Sequence, residues 1–338
     1  MFENLIKILN GTEIGELLLG REEELIEVVS QAYIAHQNGH SSLPHSVFLR
    51  FPEVDKARII GLPAFLGSSY NRAGIKWISS FPGNVQKGID RASAVIILNS
   101  LETGRAEVIM EGATISAKRT AASAALAARV LTRNADLNRI CLVGCGLINF
   151  EILRFLKVIF PALEEVSLYD LDESRAMYFR DKLRITGKGL DVKIAANLSE
   201  AMETFELISF ATTAVQPHID DVNSVRPDSV ILNISLRDFT SRFVLSSVNI
   251  VDDVEHICKA QTSVHLAEQA VGNRDFISGT LADFISNRAA VAALPAKPLV
   301  FSPFGLGILD IALSAYALEL ANKSEVGLSI PEFFPVPY

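Results

Sequence analysis

Apolar and polar positions change their period twice along this chain, and each change predicts a different kind of architecture. Over residues 12–38, which open on Thr12-Glu13, the apolar side chains Ile14, Leu17, Leu18, Leu25, Ile26 and Val29 recur at helical spacing among acidic ones. One or two amphipathic helices are expected there. From residue 46 to 109 the texture becomes a series of short β-prone runs, at 47–51, 58–62, 75–79, 94–98 and 106–110. Pro52, Pro63, Pro82-Gly83 and Thr103-Gly104 punctuate them, which predicts a largely antiparallel or mixed sheet. Residues 115–131 return to a helical period with many alanines, small enough to let another backbone come close.

Beyond Arg139 strand and helix patterns alternate. Strands are expected at 139–143, 165–169, 192–195, 207–211, 229–233 and 249–252, with helical or polar connectors between them. Repeated βα units of this length imply a parallel sheet with helices on both faces, because a parallel crossover needs a connection long enough to hold a helix. A last helix is expected at 308–324, and residues 330–338 form a proline-rich end. The fold class is therefore α/β, a doubly wound parallel sheet accompanied by a second, α+β domain.

Bulk composition narrows the classes of function. A chain of 338 residues suits two domains, and 49% hydrophobic with 21% charged residues describes a folded globular protein. The net charge of −8 argues against a nucleic-acid binder, which needs clustered cations. Three cysteines, Cys141, Cys145 and Cys258, cannot complete a disulfide framework, which points to a reducing compartment. The first twenty residues carry Glu3, Glu13 and Glu16 with no cationic segment ahead of an apolar run, unlike a secretory signal. The longest apolar stretch, 121–128, is far below the roughly 20 residues of a membrane span. A cytoplasmic protein with no membrane partner is expected.

The most informative local sequence is residues 139–149, Arg-Ile-Cys-Leu-Val-Gly-Cys-Gly-Leu-Ile-Asn. An apolar strand runs directly into Gly144-x-Gly146, and a helix is expected from 148 to 160. Gly144 permits the tight turn, and Gly146 lets the backbone approach a pyrophosphate held at the helix N-terminus. The third fingerprint position is Asn149 where glycine or alanine is usual, a departure expected to loosen the helix–strand packing. The second strand ends at Asp170, 170 − 144 = 26 residues after the first glycine. A carboxylate there accepts hydrogen bonds from the adenosine ribose and repels a 2′-phosphate, so NAD is expected rather than NADP. Gly144, Gly146, Leu147, Ile148 and Asp170 are thus the cofactor candidates of a Rossmann domain. In the plainer reading the segment is an ordinary turn and Asp170 caps the next helix. Cys141 and Cys145 do not make a Cys-x-x-Cys pair and are expected to pack as small core residues.

Other segments then fall into a pattern. Gly74-Ile-Lys-Trp77, Arg91-Ala-Ser-Ala-Val-Ile-Ile-Leu-Asn99, Glu102-Thr-Gly104, Arg119-Thr-Ala-Ala122, Asn233-Ile-Ser235 with Asp238, and Phe304-Gly-Leu-Gly-Ile-Leu-Asp310 occur in that order. Together they resemble the ornithine cyclodeaminase/μ-crystallin family along nearly the whole chain. The 91–99 and 233–238 strings look most like one branch, the N-[(2S)-2-amino-2-carboxyethyl]-L-glutamate dehydrogenases of 2,3-diaminopropionate and siderophore biosynthesis. The resemblance implies a substrate-binding and dimerisation domain, residues 1–118 with 311–338, around an NAD-binding Rossmann domain, residues 119–310. It also implies a homodimer built through the N-terminal sheet.

A small amino-acid-like substrate presents carboxylates, which favour cations with fixed donor geometry. By resemblance Arg50, Lys76 and Arg119 match the family's carboxylate-binding residues. Arg50, beside Phe51 at a strand end, is otherwise a solvated cation. Lys76, between Ile75 and Trp77, otherwise points to water. Arg119 opens an apolar helix, where the dipole disfavours a cation, and that placement argues for function. Arg91 is a further candidate, either as an extra cation for a substrate with three carboxylates or as an ion pair with Asp90 or Glu102.

Asp238 aligns with the family's acid/base carboxylate and follows the strand at 229–233, at the strand edge where such sheets bind ligands. Its plain alternatives are a helix cap or a partner for Arg237 or Arg242. Asp310, after Gly305-x-Gly307, is expected to frame the nicotinamide pocket, or simply to place a charge at a helix N-terminus. Thr212, Asn233 and Ser235 lie at strand ends and are cofactor candidates. The spacing of His36, His40 and His45 fits a solvated helix end better than zinc, and Asp252, Asp253, Glu255 and His256 read as a solvated edge. No G-x-S-x-G elbow or Walker loop occurs, so hydrolase and kinase chemistry have no support. The resemblance implies NAD-dependent cleavage of N-(2-amino-2-carboxyethyl)-L-glutamate to 2-oxoglutarate and L-2,3-diaminopropionate. Ornithine cyclodeamination, a ketimine reductase or alanine dehydrogenase activity, and non-catalytic dinucleotide binding stand as alternatives.

Overall fold

The computed structural model describes residues 4–54, 57–134, 136–186 and 189–335. The end of the proline-rich tail, 336–338, lies outside the described residues. The chain forms two compact units: residues through Arg119 together with those from Gly307 onward, and Thr120–Leu306.

In the first unit, β1 (Leu5–Leu9), β2 (Ser41–Ser42), β3 (Val47–Arg50), β4 (Arg58–Leu66), β5 (Arg72–Ser80), β6 (Ala92–Asn99) and β7 (Ala106–Glu111) share one sheet with a strand at Leu328–Pro331. From one edge the order is Leu328–Pro331, β1, β7, β6, β5, β4, β2, and β3 also pairs with β4. β1 and β7 run parallel while the remaining pairs are antiparallel, so the sheet is mixed, as the sequence predicts. Pro63 does not end a strand: β4 continues through it, opposite Ile75. The other edge of β4 is paired by β3 at 58–61 and by β2 at 65–66, so the proline, which has no N–H, falls in the gap between them.

Side chains alternate across this sheet, as a pleated strand requires. One face is buried by Lys76, Ile96, Leu98, Val108 and Met110. Against it pack the helices Glu22–Gln37 and Gly307–Lys323. The opposite face leaves Val47, Trp77 and Val95 exposed. The 12–38 region is two helices, and Asn10 rather than Thr12 starts the first, accepting from the amides of Thr12 and Glu13 while Glu13 returns to the Asn10 amide.

The second unit is an all-parallel sheet. Its strands are β8 (Arg139–Val143), β9 (Glu165–Tyr169), β10 (Asp191–Ile194), β11 (Leu207–Phe210), β12 (Val230–Asn233), β13 (Val248–Val251), β14 (Ile277–Thr280) and β15 (Leu299–Ser302). They lie in the order β10-β9-β8-β11-β12-β15-β13-β14. The order reverses between β8 and β11, and in such sheets ligands bind beyond the carboxyl ends of the strands at that reversal. Strands β8, β11, β12, β13 and β15 are buried almost throughout, the expected composition of a sheet covered on both faces.

Candidate active site

At the carboxyl end of β8 the chain turns sharply. Gly144 has φ +91, and a Cβ there would lie 2.5 Å from the Ala211 carbonyl oxygen, so both its conformation and its surroundings exclude a side chain. Two residues on, a Cβ at Gly146 would meet nothing within 4 Å. Gly146 starts the helix Leu147–Ile159, and no side chain caps it. An open helix N-terminus beside a tight turn is an anion site in its electrostatics, and these features fit a dinucleotide pyrophosphate.

Asn149 is the surprise of this turn. It is fully buried, and its Nδ2 donates to the carbonyls of Val143 (3.0 Å) and Gly144 (2.8 Å), while its Oδ1 accepts from Ser209 Oγ at 2.7 Å. The helix is thereby tied to β8 and β11 on either side of the reversal. The expectation that Asn149 loosens the packing is wrong: a buried amide with its hydrogen bonds made fixes the turn. Asp170 accepts from the Cys145 amide at 2.7 Å and the Asp172 amide at 3.0 Å. Capping of the following helix is done by Asp172, which accepts from Ser174, so Asp170 is not that helix's cap. Cys141 and Cys145 are buried, and burial pushes both thiols up, away from the reactive thiolate.

Asp238 follows β12 and has no exposed surface. Its Oδ1 accepts from Thr212 Oγ1 at 2.6 Å, and its Oδ2 contacts Ser235 Oγ. Ser235 Oγ also reaches the Phe210 carbonyl at 3.2 Å. A serine has one proton to give, so the pocket suits two states of Asp238. Ionised, the carboxylate accepts from Ser235; protonated, it donates to Ser235, which turns its own proton to Phe210. The plain alternatives fall away, because Arg237 donates to the carbonyls of Ala260 and Gln261, Arg242 pairs with Asp220, and Thr240 caps the next helix. Asn233 is buried, with Nδ2 on Ser302 Oγ at 3.0 Å and no partner for Oδ1 among the described residues.

In the first unit Lys76, Arg119 and Asp310 form a buried charge cluster. Lys76 Nζ lies 2.7 Å from Asp310 Oδ2 and 3.1 Å from Ser116 Oγ, and Arg119 Nε lies 3.2 Å from Asp310 Oδ1. Alternation along β5 turns Lys76 into the core and Trp77 outward, so Lys76 does not point to water. Arg119 sits in the second turn of the helix Ala113–Leu131, whose start is capped by Glu111. Both oxygens of Asp310 are engaged, one by Lys76 and one by Arg119, so it holds the two cations together. Burial first, and the neighbouring Arg119 second, push Lys76 down to about 8, against the opposing pull of Asp310.

Arg50 and Arg91 are not part of this cluster. Both are exposed and make no ion pair among the described residues; they lie at one end of the sheet, where Phe51 packs on Phe81 and the Phe81 amide donates to the Arg91 carbonyl. One residue stands differently from its sequence reading, and one escaped that reading altogether. Asp252 is no solvated edge: it is buried and accepts from the amides of Asp253, Phe304 and Gly305, and burial raises its carboxyl. His218 Nε2 stands 3.9 Å from Asp238 Oδ1. Its signal is only its distance of a few residues from Thr212, too weak to single it out.

Comparison with known proteins gives a consistent outcome. The family model described as "Ornithine cyclodeaminase/mu-crystallin family" matches residues 7–325. An N-((2S)-2-amino-2-carboxyethyl)-L-glutamate dehydrogenase of Staphylococcus aureus (strain NCTC 8325 / PS 47) is 26% identical over 328 residues, covering 95% of this chain and 97% of that protein. The solved structure of an archaeal alanine dehydrogenase dimer with bound NAD superposes with a TM-score of 0.85 at 25% identity, covering 98% of this chain and 100% of that one. Thermococcus litoralis Δ(1)-pyrroline-2-carboxylate reductase, solved with NADH and L-proline, shares the fold with a TM-score of 0.88 at 24% identity, covering 96% and 99%.

Proposed function

The chain belongs to the ornithine cyclodeaminase/mu-crystallin family, and from that premise we propose that it oxidises the carbon–nitrogen bond of N-(2-amino-2-carboxyethyl)-L-glutamate. It is an NAD-dependent oxidoreductase acting on an amino-acid-like CH–NH donor. The observation that carries the cofactor assignment is the glycine turn after β8, pinned by Asn149, uncapped by any side chain and flanked by Asp170. The choice of substrate rests on the relative from Staphylococcus aureus and on the supply of cations, since a substrate with three carboxylates needs more of them than alanine does.

NAD, when bound, would supply the acceptor for the hydride of the glutamate α-carbon. Gly144, Gly146, Leu147 and Ile148 would hold its pyrophosphate, Asp170 its ribose, and Thr212, Asn233 and Ser235 lie along the same strand ends. Lys76 and Arg119, fixed by Asp310, bind one substrate carboxylate; Arg50 and Arg91 serve the others. Asp238 accepts the proton that the amine nitrogen loses on oxidation. Once Asp238 has given that proton up it is again a carboxylate; water adds to the C=N carbon, and Asp238 passes the water's two protons in turn to the nitrogen, which leaves as L-2,3-diaminopropionate with 2-oxoglutarate as the other product.

We also place a homodimer interface on the exposed face of the first unit's sheet. Val47, Gly61, Trp77 and Val95 stand opposite one another across β3, β4, β5 and β6, an apolar row in register. Gly61 leaves room for the indole, since a Cβ there would lie 3.3 Å from Trp77. Exposed apolar patches of this kind mark interfaces. Among the described residues no helix is long and apolar enough to cross a membrane.

The deciding assay follows NADH formation with N-(2-amino-2-carboxyethyl)-L-glutamate beside L-ornithine and L-alanine. Stoichiometric NADH with the first supports the proposal. Proline and ammonia from ornithine without net NADH would replace it by cyclodeamination, and NADH from alanine alone by an alanine dehydrogenase.

A further inference from the structure

Oxidation of an amine to an imine breaks one C–H and one N–H bond. Bound NAD would supply the hydride acceptor, and one proton per turnover must be released so that Asp238 returns to its carboxylate form. Under the function proposed above that proton passes to Asp238, which is completely buried, with Thr212 on one oxygen and Ser235 on the other. A carboxyl with no exposed surface reaches bulk solvent only through a neighbour that is itself exposed. It needs a partner that touches both.

His218 meets that description. The amides of His218 and Ile219 both donate to the Asp238 carbonyl at 2.9 Å, and Ile219 forms a β-bridge with Phe239, so the two segments are locked side by side. The imidazole Nε2 lies 3.9 Å from Asp238 Oδ1, and its side chain is 44% exposed. That separation is within ion-pair reach, though longer than a hydrogen bond. Asp238 is the carboxylate within ion-pair distance of His218 among the described residues; nearby Asp220 is turned onto Thr240 at 2.7 Å and Arg242 at 3.1 Å.

We infer that His218 is the proton outlet of Asp238. Protonated Asp238 gives its proton to Nε2 of neutral His218, regenerating the carboxylate, and the imidazolium releases the proton to solvent; nothing else changes hands. His218 touches neither substrate nor cofactor in this scheme, so it is a positioning and relay residue that acts through Asp238. Neither the family resemblance nor the candidate set read from the sequence includes it.

The test is His218→Gln, which keeps the size and polarity but cannot carry the proton. Rates of NADH formation with N-(2-amino-2-carboxyethyl)-L-glutamate are measured against pH in dilute non-imidazole buffer, with and without added imidazole. The relay must take up a proton, so the wild-type kcat rises with pH. In His218→Gln that rising limb disappears and kcat drops about tenfold, less than the 10²–10⁴ of a group that meets the substrate directly. Added imidazole restores it, while KM and the calorimetric Kd for NAD stay as in the wild type. Unchanged kcat and pH profile would overturn the relay alone. So would a loss that imidazole does not rescue and that comes with weaker NAD binding, since that is a merely structural defect. If the wild type binds NAD but oxidises none of the amines, the proposed function itself has failed and the relay falls with it.

Discussion

Neutralising Asp310 tests the charge cluster directly, because the structure fixes what each partner then does. Lys76 is held at about 8 by two opposed effects: burial and Arg119 push it down, while Asp310 pulls it up. Asp310→Asn removes the upward pull and leaves both downward ones. A charge pair a few ångströms apart near a protein surface is worth about 4 kcal/mol, or roughly three pH units at 1.36 kcal/mol each. Allowing for the dipole of the new amide, a fall of roughly two units is a conservative expectation. Slightly above neutrality wild-type Lys76 is mostly a cation; in the variant only a few per cent of it is.

A neutral amine does not attract a carboxylate. The apparent KM for N-(2-amino-2-carboxyethyl)-L-glutamate should therefore rise at least about tenfold in Asp310→Asn at that pH. The sign of the pH dependence follows. In the wild type the cation is lost as pH climbs through about 8, so kcat/KM falls on the alkaline side. In Asp310→Asn the same descending limb moves to lower pH by roughly two units. In Lys76→Arg, whose guanidinium keeps its charge, it vanishes from this range. The assay is initial-rate NADH absorbance across pH at fixed ionic strength. Stability should drop by about 3 kcal/mol, the low end for breaking a buried pair, because Lys76 sheds its proton instead of remaining an unpaired charge. Urea unfolding locates conditions where the variant is folded. A descending limb at the same pH in Asp310→Asn as in the wild type refutes the reasoning.

Three further outcomes are expected. Asn149→Ala, which installs a residue usual at the third fingerprint position, should lower stability by about 2–3 kcal/mol in urea unfolding and weaken NAD in calorimetry, since Ser209 and two turn carbonyls lose a buried partner; a stabilised variant would show that the fingerprint alanine packs better. Asp170→Ser should narrow the preference for NAD over NADP by at least about tenfold, measured as the ratio of kcat/KM values, because the carboxylate that repels a 2′-phosphate is gone; an unchanged ratio would place cofactor selection elsewhere. Trp77→Lys puts a charge into the apolar row beside Val95 and should convert a dimer to a monomer in light scattering, with the fold intact by circular dichroism; a dimer that persists would move the interface off this face.

What the sequence revealed and what it hid divide along one physical line. The parallel unit was legible because its signals are local: an apolar strand, a glycine turn and an acid at the next strand end lie within a few tens of residues and mean the same thing wherever they occur. The strands missed there are β14, interrupted by Gly279, and β15, which directly follows Pro298, so a turn-forming residue masks each. Leu328–Pro331 is an edge strand that acquires its structure from pairing with β1, and β1 in turn pairs with β7, about a hundred residues away in sequence, so neither carries a local signal. The chemistry of the first unit was hidden more deeply. That Lys76 faces the core and Asp310 binds cations depends on a contact 234 residues apart in sequence, which no local pattern displays.

The two misreadings of single residues share a cause. Asn149 and Asp252 are polar residues whose type alone suggests loose packing and a solvated edge. Each is instead buried with its hydrogen bonds supplied by backbone groups of a neighbouring strand or turn. A buried polar side chain is tolerable only when such partners are present, and then it becomes more restrictive of geometry than the apolar residue it replaces. Both sit where backbone must hold an exact course, Asn149 at the sheet reversal and Asp252 beneath the Phe304–Gly305 turn. A polar residue at an apolar position of a fingerprint is therefore better read as a rigid clasp than as a defect in the motif.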